Sequence, residues 1–237
     1  MSQITIFESV LYGFIVSNKI MNIVQVGAND GKINDPIYNF VMKYKKNTNI
    51  LLIEPQPELL HILKENYSGH PSAVFFSGAI GQPDTISLYR VKPDLWPHYN
   101  PPYLKDAPSY RVPSGFTSYS IEHVYNHARG NFKIDLPLAH CVEEIRVACQ
   151  NLLPLMSKLS WTHDIDLLQI DTEGADDITL MSCNISQLKP KLICFETIHL
   201  GQKRCAQIAE YLIGEGYELI RSGQSDMIAM LDPRRKL

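Results

Sequence analysis

Three features that would place a protein in a large functional class are missing from this sequence. No apolar run approaches the roughly 20 residues that a membrane-spanning helix needs, in a chain of 237 residues that is 45% hydrophobic and 20% charged. Positive charge is not in excess, because the formal net charge is −3 and the one run of three consecutive basic residues is Arg234, Arg235 and Lys236. A surface that tracks phosphates therefore has little support. We expect no membrane span and no nucleic-acid partner.

Cysteine pairing motifs are also lacking, and we expect no export signal. The five cysteines are odd in number and scattered, without a CxxC or a Cys/His ligand spacing, which argues against a disulfide framework or a zinc site. We interpret them as reduced and structural, and we expect a cytoplasmic protein. The first 16 residues, MSQITIFESVLYGFIV, lack a basic region and a small-residue cleavage site. They predict an ordinary packing helix.

What the sequence does contain is an alternation of short apolar runs with longer amphipathic stretches. This rhythm is typical of an α/β fold, in which helices cover both faces of a mostly parallel, doubly wound sheet. The length suits one domain, residues 1–237. Parallel strands are predicted at 22–26, 50–54, 73–77, 165–171 and 192–196, and helices at 36–44, 57–67, 118–129, 152–159, 175–183 and 204–215. Two further strands, 217–221 and 227–231, are joined by a hairpin-length connection, so the sheet should end with one antiparallel strand.

The rhythm breaks after the third parallel strand. Residues 85–91 alternate like an antiparallel strand, residues 92–114 form an insertion rich in proline and aromatic residues, and residues 143–148 predict a strand that leads into the helix at 152–159. Long segments of this kind are usually functional lids or disordered, and the aromatic residues argue against disorder. Trp96, Tyr99, Tyr103 and Tyr110 predict a platform that stacks on an acceptor molecule. An ordered surface loop or a dimer contact is the alternative.

The stretch VQVGANDG, residues 24–31, ends the first predicted strand on a turn bracketed by Gly27 and Gly31. In an open parallel sheet the ligand lies at the carboxyl ends of the strands, and the turn after the first strand lets the backbone approach a cofactor. Asp30 in this turn can accept a hydrogen bond or face a positive group. Glu54 ends the second strand, where a carboxylate can accept both hydroxyls of a ribose.

The turn discriminates between two cofactor classes. A dinucleotide needs GxGxxG, whose middle glycine makes room for a pyrophosphate, but Ala28, Asn29 and Asp30 occupy the middle positions here. An acid would repel a pyrophosphate and suits the ammonium and sulfonium groups of S-adenosyl-L-methionine. We therefore predict this methyl donor. A nicotinamide-dependent oxidoreductase and a non-catalytic nucleoside-binding module are the alternatives, and the first also lacks a tyrosine followed four residues later by a lysine.

A second group of functional residues follows the fourth and fifth parallel strands. LLQIDTEGAD places Asp171 and Glu173 at the cofactor edge of the sheet, and CFETIHL adds Glu196 and His199. Methylation of a hydroxyl needs a group that accepts its proton, and Asp171, Glu173 and His199 are the candidates. Asp171, Glu196 and His199 also form a candidate Mg²⁺ site. Capping of the following helix is a simpler explanation for Glu173 than for Asp171.

Taken in order, VGANDG, LIEPQPELLHILKEN, the Ser77–Gly81 stretch, IDTEGAD and FE resemble the FkbM family of S-adenosylmethionine-dependent methyltransferases over roughly residues 20–200. The resemblance implies a class I, Rossmann-like methyltransferase fold with seven strands in the order 3-2-1-4-5-7-6. It also implies O-methylation of a hydroxyl on a sugar, a glycan or a small natural product. The insertion at 92–114 does not align with the family, so the acceptor stays open, as does homo-oligomerisation.

The resemblance also implies roles for individual residues. Gly27, Ala28, Asn29 and Gly31 would wrap the methionine part of the cofactor, Glu54 the ribose, and Gly78 and Ala79 the adenine edge. Asp171 and Glu173 match the acidic motif near the transferred methyl group, and Ser118, in the pair Thr117–Ser118, would line the cleft. Asp30 and Pro55 complete the set of residues expected to bind the cofactor.

Overall fold

The computed structural model describes residues 5–17, 20–98, 107–132 and 137–234. Tyr99 and Tyr103 of the predicted aromatic platform lie outside these ranges, as do Arg235 and Lys236. The strands are β1 (Met21–Val26), β2 (Thr48–Glu54), β3 (Ala73–Ser77), β4 (Ala79–Ile80), β5 (Asp84–Val91), β6 (Val142–Gln150), β7 (Leu167–Ile170), β8 (Leu192–Glu196), β9 (Tyr217–Ser222) and β10 (Asp226–Leu231). The helices are α1 (Ile6–Ser17), α2 (Tyr38–Lys43), α3 (Pro57–Asn66), α4 (Arg111–Gly115), α5 (Ile121–Phe132), α6 (Leu138–Cys141), α7 (Leu152–Lys158), α8 (Asp176–Met181), α9 (Ile185–Leu188) and α10 (Gln202–Gly214), with a 3₁₀-helix at Pro93–His98.

Seven strands form a mostly parallel sheet in the order β3-β2-β1-β7-β8-β10-β9. Strands β3, β2, β1, β7 and β8 run parallel, and β10 is antiparallel to both β8 and β9. Counted along the seven strands of this sheet, the order is 3-2-1-4-5-7-6. The predicted fold class and strand order are confirmed.

The central strands are apolar on both faces, because helices cover the sheet on each side. β1 and β7 are buried along almost their whole length. Val24 and Leu168 belong to one core, and Ile23 and Leu167 belong to the core on the opposite face. The predicted N-terminal helix is α1, whose Leu11 is fully buried in the second core. This two-sided burial fixes the strand ends that carry the candidate site.

The predicted elements are present, with shifted boundaries at several ends. The helix predicted at 36–44 begins at Tyr38, because the Asp35 carboxylate accepts the N–H groups of Ile37 and Tyr38 and holds Pro36 outside the first turn. The strand predicted at 165–171 is the shorter β7, and the helix predicted at 118–129 is α5. All five cysteines are free, in agreement with the reduced state that we expected. Within the described ranges, we find no helix both long and apolar enough to cross a membrane.

A second sheet of three strands, in the order β4-β6-β5, lies beside the first. β5 and β6 are antiparallel over their full length, and β4 is parallel to β6. Arg90 of β5 ties this sheet to α3, because its buried guanidinium donates to Glu58 through two nitrogens and to Glu143 through Nε. A further pairing between Tyr89 and Ser118 brings the segment after α4 to the same edge.

Trp96 does not form part of an acceptor platform. Its side chain is buried at 8% exposure and packs with Val91, Val124 and Val142. Its indole N–H donates to the carbonyl of Val91. The prediction of a stacking surface is therefore wrong for Trp96, because the small sheet and α5 need a large apolar side chain to close their own core.

Candidate active site

The carboxyl ends of β1, β2 and β7 converge on a cavity of about 540 Å³. β1 lies between the other two strands, since Val26 pairs with Ile53 of β2 and with Ile170 of β7. The site residues predicted from sequence that line the cavity are Gly27, Ala28, Asn29, Glu54, Pro55, Gly78, Ala79, Ser118, Asp171 and Glu173. The sheet thus brings together residues that are separated by up to about 150 positions along the chain.

Gly27 is required at the end of β1 by both conformation and space. Its φ of +80° is unfavourable for a residue with a side chain. A Cβ at this position would lie 1.7 Å from the backbone oxygen of Asp171, which is far inside van der Waals contact. The turn after β1 therefore packs directly against the end of β7, and a side chain here would force the two apart.

Glu54 connects the ends of β1 and β2. Its carboxylate accepts the N–H of Asn29 at 2.8 Å and the N–H of Gln56 at 2.9 Å. Burial raises the pKa of Glu54 to about 7, although the two backbone N–H groups favour the charged form. The side chain thus lies at the cavity wall with its charge balanced by backbone donors.

Asp30 and Gly31 do not line the cavity. The Asp30 carboxylate accepts the N–H groups of Lys32 and Ile33 and the hydroxyl of Tyr110, and it is 1% exposed. The Arg111 Nε atom lies 3.8 Å from it. These groups satisfy the carboxylate within the turn, so the structure does not support our expectation that Asp30 faces a cationic cofactor. At Gly31, a Cβ would lie 2.3 Å from Leu63, which explains the glycine by packing.

The short helix α4 holds the glycine turn in place, a role that the sequence did not reveal. Arg111 donates to the carbonyl of Ile33, Ser114 exchanges hydrogen bonds with the Asn29 amide, and Gln56 donates to the carbonyl of Ser114. Arg111, Ser114 and Gln56 also line the cavity. No motif marks α4, and its residues fall at the end of the segment that we had assigned to the acceptor.

Carboxylates crowd the β7 end of the cavity, which Asp171 and Glu173 line. Burial raises the pKa of Asp171 to about 6, and Arg111 partly opposes this effect. The pKa of Glu173 is raised well above its ordinary value by burial and by Asp171. Glu196, at the end of β8, has its pKa raised to about 8 by burial and by Asp171. Asp176 behaves in the same way, with a pKa of about 7. This end of the cavity has an excess of negative charge that a cation would relieve.

Glu173 is held in a strained position that helix capping does not explain. Its φ is +49°, a conformation uncommon for a residue with a side chain. Its backbone carbonyl accepts the hydroxyl of Ser118, and its carboxylate lies 3.6 Å from His199 Nε2. α8 begins three residues beyond it, at Asp176. The side chain therefore points toward His199 and not back to the helix.

His199 meets two carboxylates and two further histidines. Its Nε2 lies 3.6 Å from Glu173 and 3.5 Å from Glu196, and burial lowers its pKa. The rings of His123 and His127, both from α5, lie 5.1 Å and 6.1 Å from the ring of His199. The two α5 histidines were not predicted, because no sequence pattern relates them to a residue more than 70 positions away.

The candidate metal ligands differ from those predicted. Among the described residues, Glu173, Glu196 and His199 form the group whose ligand atoms all lie within 4.8 Å of one another. Asp171 is not a member, so the predicted set of Asp171, Glu196 and His199 is corrected at one position. The left-handed backbone at Glu173 turns its carboxylate toward β8, where sequence spacing alone had favoured Asp171.

The sequence model of the methyltransferase FkbM domain matches residues 25–219, from β1 into β9. The chain belongs to the FkbM methyltransferase family. It is therefore a member of a family of S-adenosylmethionine-dependent enzymes. The two alternative functions, a nicotinamide-dependent oxidoreductase and a non-catalytic nucleoside-binding module, lose their support. No curated protein matches the chain significantly.

Solved structures similar to this FkbM protein are methyltransferases and related proteins of low sequence identity. The Methanococcus jannaschii fibrillarin pre-rRNA processing protein is 8% identical with a TM-score of 0.46, covering 90% of this chain and 67% of that one. Precorrin-6y C5,15-methyltransferase from Geobacter metallireducens is 10% identical with a TM-score of 0.41, covering 98% and 93%. TrmK from M. capricolum, in complex with S-adenosylhomocysteine, is 8% identical with a TM-score of 0.42, covering 92% and 64%.

The residues of this FkbM protein fit the methyl donor, which supplies a methyl group bonded to a positively charged sulfur. The cavity at the strand ends offers about 540 Å³, Gly27 lets the turn at the cavity wall pack directly against β7, and Glu54 presents a buried carboxylate. Gly27, Ala28 and Asn29 would hold the methionine part, Glu54 the ribose, and Gly78 and Ala79 the adenine. These individual roles stay predictions.

Proposed function

We propose that this FkbM methyltransferase methylates a hydroxyl oxygen on a sugar, a glycan or a small natural product, with S-adenosylmethionine as the donor. The observation that carries the proposal is the group of proton acceptors at one end of the cavity. Asp171 and Glu173 line the cavity, and His199 lies 3.6 Å from Glu173. A hydroxyl is a poor nucleophile until its proton is removed, so this group supports transfer to oxygen.

Positioning supplies the larger part of such a reaction, because an in-line displacement needs the acceptor oxygen about 3 to 3.5 Å from the carbon that it attacks. The described residues offer an apolar contact for an acceptor ring near the acidic end. Tyr119 is 42% exposed and Ile178 is 52% exposed, and both line the cavity. An aromatic face that is exposed at a cavity wall stacks well on the apolar face of a sugar. Tyr119 thus takes the place that we had predicted for Trp96.

Three groups can accept the hydroxyl proton. The lowered pKa of His199 keeps its imidazole neutral near pH 7, as a base must be. The raised pKa of Asp171, about 6, makes its carboxylate a stronger base than an exposed aspartate. Burial and the neighbouring Asp171 raise the pKa of Glu173, which makes its carboxylate a stronger base than an exposed glutamate.

The experiment is a methyl-transfer assay against monosaccharides, glycans and hydroxylated natural products. Products are detected by mass spectrometry, and the methylated atom is located by nuclear magnetic resonance. We expect a methyl ether, with turnover lost in Asp171→Asn and retained in His163→Ala, which changes an exposed histidine. A product methylated on nitrogen or carbon would contradict the proposal. So would an Asp171→Asn enzyme that loses donor affinity and turnover equally, because that residue would then serve binding.

A further inference from the structure

Glu173, Glu196 and His199 come from three separate positions on two strand ends. Glu173 follows β7, Glu196 is the last residue of β8, and His199 lies in the loop after β8. Each offers one ligand atom, and these atoms lie within 4.8 Å of one another. The side chains are 24% to 29% exposed, so an ion from solvent can reach them.

The distances from the histidine nitrogen to the two carboxylate oxygens are longer than hydrogen bonds and match the spacing of ligands around one metal ion. His199 Nε2 lies 3.6 Å from Glu173 Oε2 and 3.5 Å from Glu196 Oε2. An N–H···O hydrogen bond is about 2.7 to 3.2 Å long. Two ligand atoms that are each about 2.1 Å from a tetrahedral ion are about 3.4 Å apart. An ion between the three side chains would therefore satisfy the histidine and both carboxylates with little movement.

Two further histidines indicate the class of ion. The rings of His123 and His127 lie 4.5 Å from each other, and the ring of His123 lies 5.1 Å from that of His199. Among the described residues, the buried Nε2 atom of His123 has no hydrogen-bond partner. His123 is not one of the three residues whose ligand atoms lie together, so it adds an imidazole beside the group. Imidazole nitrogens suit Zn²⁺ and Fe²⁺, carboxylate oxygens also suit Mn²⁺, and Mg²⁺ prefers oxygen ligands alone.

The charges around the group also favour a cation. Asp176 lies behind Glu196, whose backbone N–H it accepts, and Asp171 lies on the cavity side. Arg111 acts on this cluster as a cation, and its Nε donates to the carbonyl of Ile33. A divalent ion would therefore neutralise carboxylates that repel one another.

We propose that Glu173, Glu196 and His199 bind one divalent transition-metal ion, of the class of Zn²⁺ or Mn²⁺, at the acidic end of the cavity, with His123 as an additional nitrogen beside it. If the proposed O-methylation is correct, Glu173 and His199 are occupied by the ion, and Asp171 is left to accept the acceptor's proton. The binding itself depends on neither the donor nor the acceptor.

The test measures metal binding alone, on tag-free protein that has been treated with a chelator and dialysed. Isothermal titration with Zn²⁺, Mn²⁺ and Mg²⁺ gives the affinity, and elemental analysis gives the stoichiometry. We expect one Zn²⁺ or Mn²⁺ per chain, bound more tightly than Mg²⁺. Glu196→Gln and His199→Ala should each weaken that binding by about 100-fold or more. His61→Ala, which changes an exposed histidine on α3, is the matched control and should bind as the unchanged protein does.

Circular dichroism and thermal unfolding confirm that each variant is folded before its affinity is interpreted. The proposal would be overturned by the absence of stoichiometric binding, by an affinity that survives His199→Ala, or by Mg²⁺ binding as tightly as Zn²⁺. Because no methyl transfer is measured, failure of this test leaves the proposed O-methylation standing. Conversely, an inactive protein that binds the ion would contradict the O-methylation and not the metal site.

Discussion

Glu54 should make the stability of the ligand-free protein depend on pH. Its carboxylate is 2% exposed, and burial raises its pKa from 4.5 to about 7. Between these two values the folded protein holds a proton that the unfolded chain releases. Stability from this group is therefore fully present below about pH 4.5 and is lost as the pH rises through about 7. Since one pKa unit corresponds to about 1.4 kcal/mol, the loss from pH 4 to pH 8 is about 3 kcal/mol.

Glu54→Gln isolates this contribution. The amide is neutral at every pH, so the variant escapes the cost of ionisation. Its NH₂ group, however, faces the N–H of Asn29 or of Gln56, and one of those hydrogen bonds is lost. That loss lowers the free energy of unfolding by about 1 to 3 kcal/mol at all pH values. The variant should therefore be less stable than the unchanged protein at pH 4 and about as stable, or more stable, at pH 8.

The assay is urea unfolding of both proteins at pH 4, 6 and 8, followed by circular dichroism. Taking the difference between the two proteins cancels the contributions of the other buried carboxylates. We expect the difference in unfolding free energy to change by about 3 kcal/mol in favour of the variant across this range. A difference that stays constant with pH would refute the argument, because Glu54 would then have the same pKa in the folded and unfolded states.

Three further predictions concern the cavity. Gly27→Ala should lower the unfolding free energy by more than about 2 kcal/mol, because of the positive φ and the overlap of the added Cβ with Asp171. Gly13→Ala is the control and should not destabilise the protein, since the space around its added Cβ is open. Equal stabilities of the two variants in urea would contradict this prediction. Ser114→Ala removes the contact with Asn29 and should weaken S-adenosylhomocysteine binding by about 3- to 10-fold in calorimetry. Ser157→Ala, which changes an exposed serine, is the control. An unchanged affinity in Ser114→Ala would count against the role of α4. Tyr119→Ala should raise the KM for the acceptor about tenfold while donor affinity is unchanged. Tyr119→Phe, which keeps the ring, should leave both the KM and the donor affinity unchanged. A weaker donor affinity in Tyr119→Ala would show that this ring serves the cofactor.

Local physical rules explain which parts of the fold were predictable. β1 and β7 are runs of apolar residues buried on two faces, and such runs are recognisable without a structure. Gly27 directly follows β1 and Glu54 is the last residue of β2, so the parallel topology alone brings them together. The resemblance to a known family added the strand order. The strand ends of the cavity were therefore largely accessible from the sequence.

The parts that were missed depend on contacts between distant segments. Trp96 is an aromatic residue of the kind found at binding surfaces, but the small sheet buries its side chain. Asp30 has the charge to bind a cation, but the N–H groups of its own turn and Arg111 engage it. His123 reaches His199 only because α5 packs across the acidic end of the cavity. Side-chain partners of this kind are decided by packing, which spacing along the chain does not encode.

The central claim is that the cavity at the ends of β1, β2 and β7 holds an adenosyl methyl donor. Isothermal titration of the protein with S-adenosylhomocysteine and with NAD⁺ tests this most directly, with Gly27→Ala as the variant that displaces the turn at the cavity wall. We predict saturable binding of one S-adenosylhomocysteine per chain, no binding of NAD⁺, and loss of the first in the folded fraction of Gly27→Ala. No heat of binding with S-adenosylhomocysteine, or equal affinity for NAD⁺, would contradict the account.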